Sequence, residues 1–535
     1  MPPSDSSHST RGGCVTSSMS PPSPREDSRT SVARPLTGLL LVLFVAMLSS
    51  TVVSIALPRI IGALNGSQTQ YTWVVTATLL TATASTPIWG KLADLYSKKA
   101  LVQIAIGIFV AGSLISGFAQ DAGQLIAARA FQGLGVGGLQ ALVQTIIAAM
   151  IPPKERGRYN GLLGGVMAVA TVSGPLLGGV ITDTSWLGWR WCFFVGIPFS
   201  LVALVVLQRW LHLPAIRDRE TVQVDYVGAT LIAIGVSVLL IWVSFVDNSF
   251  AWLSWQTAAL VGPALAVLAI AVWWESRVPE PVLPLSVIRQ PAPALAILAS
   301  LSVGMAMFGG AVFLGQYFQV SRGYSPTEAG LLMIPMMVGT FVSSTVSGQL
   351  VSRSGRIKWH IVTGTVILVA GFGVLSTLDR ETPLLVVFTG LFAVGVGVGM
   401  SMQNLVLAVQ NTVALRDVGA ASASITFFRS LGGTIGISIL GAVLANRVSD
   451  SVQKGLREAG VPATASGGAS NLNLEALPEP IRAIVETAYG EATGHIFLLS
   501  SIIAVVGVVA ALLLKPAPLR TTLDVEPTEK DQVRS

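Results

Sequence analysis

Apolar residues in this chain do not alternate with polar ones. They run in blocks of about twenty separated by short polar stretches, the length at which a helix crosses the hydrocarbon of a bilayer. The blocks predict fourteen spanning helices. The first six lie near residues 36–57, 73–92, 100–119, 123–149, 161–182 and 191–211, and two more lie near 226–246 and 253–274. The last six lie near 293–318, 329–350, 359–377, 384–409, 418–445 and 494–514. A transmembrane barrel would show strictly alternating segments of about ten residues, and the chain has none. The predicted class is an all-α membrane protein.

The polar stretches set the orientation. Lys91 closes the second block, and Lys98 and Lys99 follow it. Lys154, Arg156 and Arg158 follow the fourth block, Arg217 and Arg219 the sixth, and Arg353, Arg356 and Lys358 the tenth. On the opposite side, 119–122 and 247–252 contain no Lys or Arg. Short basic loops stay in the cytoplasm, so an even number of crossings places both termini there, in a multi-pass protein of the inner (plasma) membrane. Residues 1–35 are Ser- and Pro-rich, with Arg11, Arg25, Arg29 and Arg34, and are expected to be a disordered cytoplasmic tail. They are too long for the n-region of a cleaved signal, so the first block is expected to be retained. Residues 515–535 form the second tail.

One opposite-side stretch, 446–493, is long and rich in Gly, Ala, Ser and Pro in its middle. Its Arg447, Lys454, Arg457 and Arg482 break the charge rule, which long external segments tolerate. It is expected to be an extracytoplasmic loop, an unstructured or short-helix linker, the other reading being a cap that samples cargo or binds a partner.

Composition closes off other classes. With 52% hydrophobic and 11% charged residues, against about 25% charged in a soluble domain, the chain needs lipid around it. A net charge of +6 distributed among membrane-side loops points to anionic lipid and not to nucleic acid. Cys14 in the tail and Cys192 in a span form no disulfide framework and no metal site. No set of catalytic side chains and no phosphate-cradling Gly-x-x-x-x-Gly-Lys-Ser/Thr loop is present. The expectation is therefore a non-enzyme without cofactor or metal, working as a monomer.

The chain also repeats itself. Gly90-Lys91-Leu92-Ala93-Asp94-Leu95-Tyr96-Ser97-Lys98-Lys99 follows the second span, and Gly348-Gln349-Leu350-Val351-Ser352-Arg353-Ser354-Gly355-Arg356 follows the tenth. Two halves built alike can rock about a central site. The expected organisation is a six-helix half at 36–211, an inserted helix pair with its linkers at 212–292, and a six-helix half at 293–514.

Four segments carry a resemblance. Gly90–Lys99 resembles the cytoplasmic signature of the major facilitator superfamily, departing from it at Leu95 and Ser97. Arg129, inside the fourth block before Gln132-Gly133-Leu134-Gly135-Val136-Gly137-Gly138, resembles the superfamily's fourth-helix arginine. A charge there costs about 2.5–3.5 kcal/mol even on lenient scales and must face a cavity or partner. Gly165 with Gly174-Pro175-Leu176-Leu177-Gly178-Gly179 resembles the antiporter motif of exporters, in which glycine allows close approach and proline bends the helix. Ala56-Leu57-Pro58, Trp189-Arg190-Trp191, Asp225-x-x-Gly228 and Arg429-Ser430-Leu431-Gly432-Gly433 are similar to the fourteen-spanner drug:proton antiporters. The resemblance covers residues 36–445 and the last span. It implies the major facilitator fold, two six-helix halves plus two inserted helices, and proton-coupled multidrug efflux of the kind that confers antibiotic resistance.

Within that frame, Asp94 is the expected latch of the outward-facing state, and Gly90, Lys98, Lys99, Gly165, Gly174, Pro175, Gly178 and Gly179 complete the gating motifs. Arg129 and Asp94 are the candidates for coupling. Arg429 is expected either to neutralise an anionic headgroup or pair with a carboxylate, or else to serve only in packing or snorkelling. Candidates for the path are Ser49, Gln132, Gln140, Gln144, Phe313, Gln316, Tyr317, Gln403 and Asn404, together with Gln410 and Asn411, the amides having hydrogen bonding between helices as the alternative role. Phe308, Phe313, Tyr317 and Phe318 form a candidate aromatic cluster, with ordinary helix packing as its alternative.

The family pattern fails at one position. Its first span carries Leu-Asp-x-Thr-x-x-Asn-x-Ala-Leu-Pro, whereas this chain has Ser49 at the Asp and Ser54 at the Asn. Serine cannot exchange a proton near neutral pH. Glu275, Asp183, Asp247, Glu328 and Glu491 all lie near span ends, and His495 begins the last span. The leading expectation is an alternating-access exporter exchanging a small amphipathic molecule for protons. The first alternative is a lipid, siderophore or endogenous-metabolite exporter with altered or absent coupling, and the second is a transporter-derived sensor or scaffold.

Overall fold

The computed structural model describes residues 24–64, 68–184, 187–211, 213, 225–245, 250, 253–278, 281, 285–324, 326–413, 418–459, 478–516 and 518–519. The helices of the first half are α1 (Pro24–Ala63), α2 (Gln68–Leu95), α3 (Lys98–Gly117), α4 (Ala122–Met150), α5 (Pro153–Asp183), α6 (Trp191–Phe194) and α7 (Gly196–Trp210). Next come α8 (Tyr226–Phe245), α9 (Trp255–Glu275) and the short α10 (Leu285–Ile288). The second half holds α11 (Pro291–Gln316), α12 (Pro326–Leu332), α13 (Ile334–Ser354), α14 (Ile357–Leu375), α15 (Leu384–Gln410), α16 (Val418–Glu458) and α17 (Glu479–Leu513), with a π-helical turn at Tyr317–Ser321. There is no β-strand among the described residues.

The chain is a multi-pass membrane protein. Among the described residues, ten helices are long and apolar enough to cross a bilayer, against the fourteen expected, and Val227–Trp242 and Pro291–Met307 are shorter apolar stretches. The 28-residue α2 and the 31-residue α5 are long but fall outside the ten. Helix α1 already begins at Pro24, inside the stretch expected as a tail, while residues 1–23 and Cys14 among them lie outside the described residues. The stretch 446–493 is helical at both ends, because α16 runs to Glu458 and α17 starts at Glu479.

Helices α1–α7 pack as one bundle and α11–α17 as another, while α8 and α9 pair beside α2 and α16. The small residues of α4 make its bundle dense. A Cβ at Gly135 would stand 2.7 Å from the Phe109 nitrogen of α3, and one at Gly138 would stand 2.7 Å from the Trp89 ring of α2. Leu39, Val102, Ile106, Phe109, Leu142 and Ile146 fill the space that remains. In the other bundle, Gly397 lets α15 approach α14, where a Cβ would come within 2.6 Å of the Leu368 nitrogen. Gly355, at φ 70°, ends α13 in the left-handed conformation that favours glycine.

Candidate functional site

The two bundles meet first at the basic end of the molecule. Asp94, near the end of α2, accepts hydrogen bonds from the backbone N–H groups of Gly419 at 2.9 Å and Ala420 at 2.8 Å. Those donors belong to the first turn of α16, which has no intrahelical acceptors for them and attracts negative charge. One turn before Asp94, Gly90 has no room for a Cβ, which would overlap the Ala423 side chain. Lys99 donates to the Gln208 carbonyl of its own half at 2.6 Å, and Lys98 is half-buried at the start of α3.

A second clasp lies nearby and had no distinctive signal in the sequence, where Arg156 counts only as one more basic residue of a short loop. Its guanidinium is almost wholly buried. It donates to the carbonyls of Ile151 at 2.6 Å and Ala148 at 2.5 Å within its own half, and to Gln410 Oε1 of the other half at 3.2 Å. Gln410 in turn donates to Ser422 Oγ of α16 at 2.9 Å. The only local hint was a Gln at the end of α15.

Farther from the basic end, Gln144 of α4 donates to Gln403 Oε1 of α15 at 3.1 Å, which joins two of the expected path residues across the seam. On the same seam, a Cβ at Gly165 of α5 would come within 2.6 Å of the Phe341 ring of α13, so this glycine sets the helix spacing. Gly174 instead faces Thr51 of α1 inside the first half, and Gly178 is buried in α5. Pro175 and Gly179 have positions in α5 but fall outside the residues whose surroundings are described. Asn404 bonds within the second half, to the Met400 carbonyl at 2.6 Å, and Gln140 is half-buried on α4.

The two embedded arginines differ. Arg129, 2% exposed, donates from Nη1 to Gln132 Oε1. Gln132 passes the chain on through its amide nitrogen to Ser113 Oγ at 2.6 Å and Ser49 Oγ at 3.3 Å. Ser49, at the position of the family's carboxylate, therefore reaches Arg129 through a glutamine. Arg129 Nε has no partner among the described residues. Arg429 of α16, 6% exposed, has no hydrogen-bond or ion-pair partner among them, and its Nη1 is buried.

The expected aromatic cluster lies at the end opposite the basic one and is tightly packed. Phe313 sits with Leu440 and Leu444 in the apolar cluster between α16 and α17, and the Tyr317 hydroxyl donates to the Asp379 carbonyl at 2.8 Å. Phe318 is fully buried beside Tyr317, whereas Phe308 and Gln316 are outside the residues whose side chains are described. Beyond them α16 and α17 continue as an antiparallel pair zipped by Val448, Val452, Leu456, Val485 and Ala488. Glu486 ties α17 to the connection between α14 and α15 through an ion pair with Arg380 at 2.6 Å, and pairs with Arg482 one turn earlier on α17 at 2.8 Å. In the same region the Thr382 hydroxyl holds the Asp379 carboxyl below the usual carboxylate range. His495 Nε2 accepts from Arg447 at 3.2 Å. Asp183 and Asp247 are outside the residues whose side chains are described, and no group of three or more metal-ligating side chains occurs among the described residues.

Comparison with known proteins agrees with this architecture. The family model described as Major Facilitator Superfamily matches residues 39–437. The multidrug transporter protein MdtP of Bacillus subtilis is 32% identical over 524 residues, covering 93% of this chain and 95% of that protein. An MFS-type transporter of Mycobacterium tuberculosis is 36% identical over 483 residues, covering 90% of this chain and 69% of that one. The efflux pump dotC of Dothistroma septosporum is 30% identical, covering 92% and 85%. In fold, the chain resembles the proton:xylose symporter XylE, with a TM-score of 0.60 at 15% identity, covering 91% of this chain and 97% of that one. It also resembles FucP in its outward conformation, with a TM-score of 0.58 at 14% identity, covering 91% and 100%.

Proposed function

The chain belongs to the major facilitator superfamily, and we propose that it is a secondary active exporter that exchanges a small amphipathic molecule for protons by alternating access. The names of its relatives, a multidrug transporter and an efflux pump, support efflux as the direction, as does the glycine-rich α5 against α13. On this reading α2, α5, α8 and α11 complete a set of fourteen spans, with both termini on the cytoplasmic side of the inner membrane and the monomer as the working unit.

The observation that carries the proposal is the seam at the basic end. Asp94 and Arg156 join the halves by hydrogen bonds to a helix terminus and to one glutamine. Such contacts hold one arrangement yet can be exchanged for water when the halves rock apart. With the basic end in the cytoplasm, the structure corresponds to the state closed on that side. Coupling then runs through Arg129 and its glutamine–serine chain, with Asp94 as the candidate carboxylate.

The test is cargo and proton flux by the purified protein in liposomes under an imposed pH gradient, scanned against cationic dyes, anionic metabolites and lipids. Cargo-dependent proton movement that is lost in Arg129→Ala and kept in Ser49→Ala is the expected result. Cargo movement without protons overturns the coupling and favours the second reading, a lipid or endogenous-metabolite exporter. Ser49 in place of a titratable group is the observation behind that reading. No flux of any compound overturns transport itself and leaves a sensor or scaffold.

A further inference from the structure

None of the fourteen predicted spans contains an Asp or Glu, while two buried arginines, Arg129 and Arg429, lie well inside spans. Guanidinium does not release its proton in proteins. Its charge in a low-dielectric interior must therefore be compensated by a counter-charge, since a water can satisfy an N–H but leaves the charge unbalanced. Arg129 at least has an acceptor for one N–H in Gln132, which like water brings no charge. Arg429 has no such acceptor among the described residues, where its Nη1 is a buried donor without a partner.

The helix opposite it carries a second orphan. Gly304 of α11 packs on the Arg429 turn, where a Cβ would stand 3.2 Å from Arg429 Cγ. Ser300 lies one turn earlier on the same face of α11, is 1% exposed, and its hydroxyl also has no partner among the described residues. A buried guanidinium and a buried hydroxyl on facing helices are complementary to a group that accepts from both and brings negative charge. Helix α16 is also the one that the second half presents to α2 and α4 of the first. A ligand lying between the halves can therefore reach this turn.

We propose that Arg429 and Ser300 form an anion-binding subsite, so that the cargo is an amphiphile with a carboxylate, sulfonate or phosphate head. This names the cargo class of the export proposed above and rests on that reading for its role in transport. Binding at the subsite does not depend on it.

The probes are three fluorescent molecules sharing one chain: 11-(dansylamino)undecanoic acid, its neutral amide and its quaternary-ammonium analogue. Binding is measured to full-length protein in phosphatidylcholine nanodiscs, and flux is measured in liposomes. Wild type is expected to bind the carboxylate about tenfold more tightly than the amide. Arg429→Gln should erase that preference while keeping amide binding, Arg429→Lys should restore part of it, and Ser300→Ala should reduce it about threefold. Because Ser300→Ala is a mild change, it carries the test if Arg429→Gln does not fold. An unchanged carboxylate preference in the variants, or a preference for the ammonium probe, overturns the subsite.

Two arms separate the remaining outcomes. Replacing part of the phosphatidylcholine with phosphatidylglycerol should weaken carboxylate binding if the native anion is a lipid headgroup, and leave it unchanged if it is a free solute. Arg429-dependent binding without flux of any probe sinks the export reading and keeps the subsite. Flux of the amide or ammonium probe, independent of Arg429, does the reverse.

Discussion

Each half of this protein buries an arginine well inside an apolar span, and the two halves treat it differently. In the first, Arg129 feeds a relay of Gln132, Ser113 and Ser49 that spans α4, α3 and α1. In the second, Arg429 stands on α16 with no partner among the described residues. Similar residues and similar burial thus have different consequences, because the energy of a buried charge is set by what surrounds it. The first arginine is built into the hydrogen bonds of the fold, and the second is the one for which we propose an anionic ligand. The basic end shows the same divergence, for Asp94 of the first half clasps α16 whereas the matching position of the repeat is Ser352.

The contrast can be broken most directly at Arg429. Replacing it with Leu removes an uncompensated buried charge and should raise unfolding stability in neutral detergent by about 1–4 kcal/mol. A comparable loss instead would mean that Arg429 already has a stabilising partner, and the contrast would collapse. Arg129→Leu should move the other way, lowering stability by about 1–3 kcal/mol because the Gln132 carbonyl oxygen loses its donor. Thermal unfolding of both variants side by side reads the difference, and equal shifts of one sign would remove it.

The clasp comes next in size. Asp94→Ala strips the cap from α16, a change of about 1–2 kcal/mol, and should cut the population closed at the basic end about tenfold, while Asp94→Asn keeps most of it. Distances between spin labels on the ends of α2 and α16 report that population, and an unaltered distribution in the Ala variant would show that the seam is held elsewhere. The smallest effect belongs to Ser49. Its bond to Gln132, at 3.3 Å, is longer than that of Ser113 at 2.6 Å. Ser49→Ala should therefore cost under about 1 kcal/mol, and Ser113→Ala more. The reverse order would make Ser49 the main support of the relay.

What the sequence settled by itself follows from local chemistry. Blocks of apolar residues near bilayer length require helices in lipid, because backbone N–H and C=O groups there can be satisfied only within the segment. Uneven Lys and Arg between blocks sets orientation, and an arginine inside a block declares its own cost. Thus Arg129, Arg429, Asp94 and the close-packing glycines were all legible before any folding. The ends of elements were less so. The composition of 446–493 suggested a loop, yet Leu444, Val448, Val452 and Leu456 continue the α16 pattern one turn at a time and become helical by packing on α17.

The tertiary structure alone decided which groups meet. Arg156 finds Gln410 254 positions away, and Asp94 finds Gly419 325 positions away. Nothing in the neighbourhood of either residue encodes such a distance. Whether a buried charge is satisfied is a property of the packed bundle, because a hydrogen bond needs its partner at about 3 Å and a few tens of degrees, a condition that only the assembled helices can meet. Sequence placed both arginines in the interior, and only the fold gave Arg129 its relay and left the Arg429 guanidinium and the Ser300 hydroxyl without partners among the described residues.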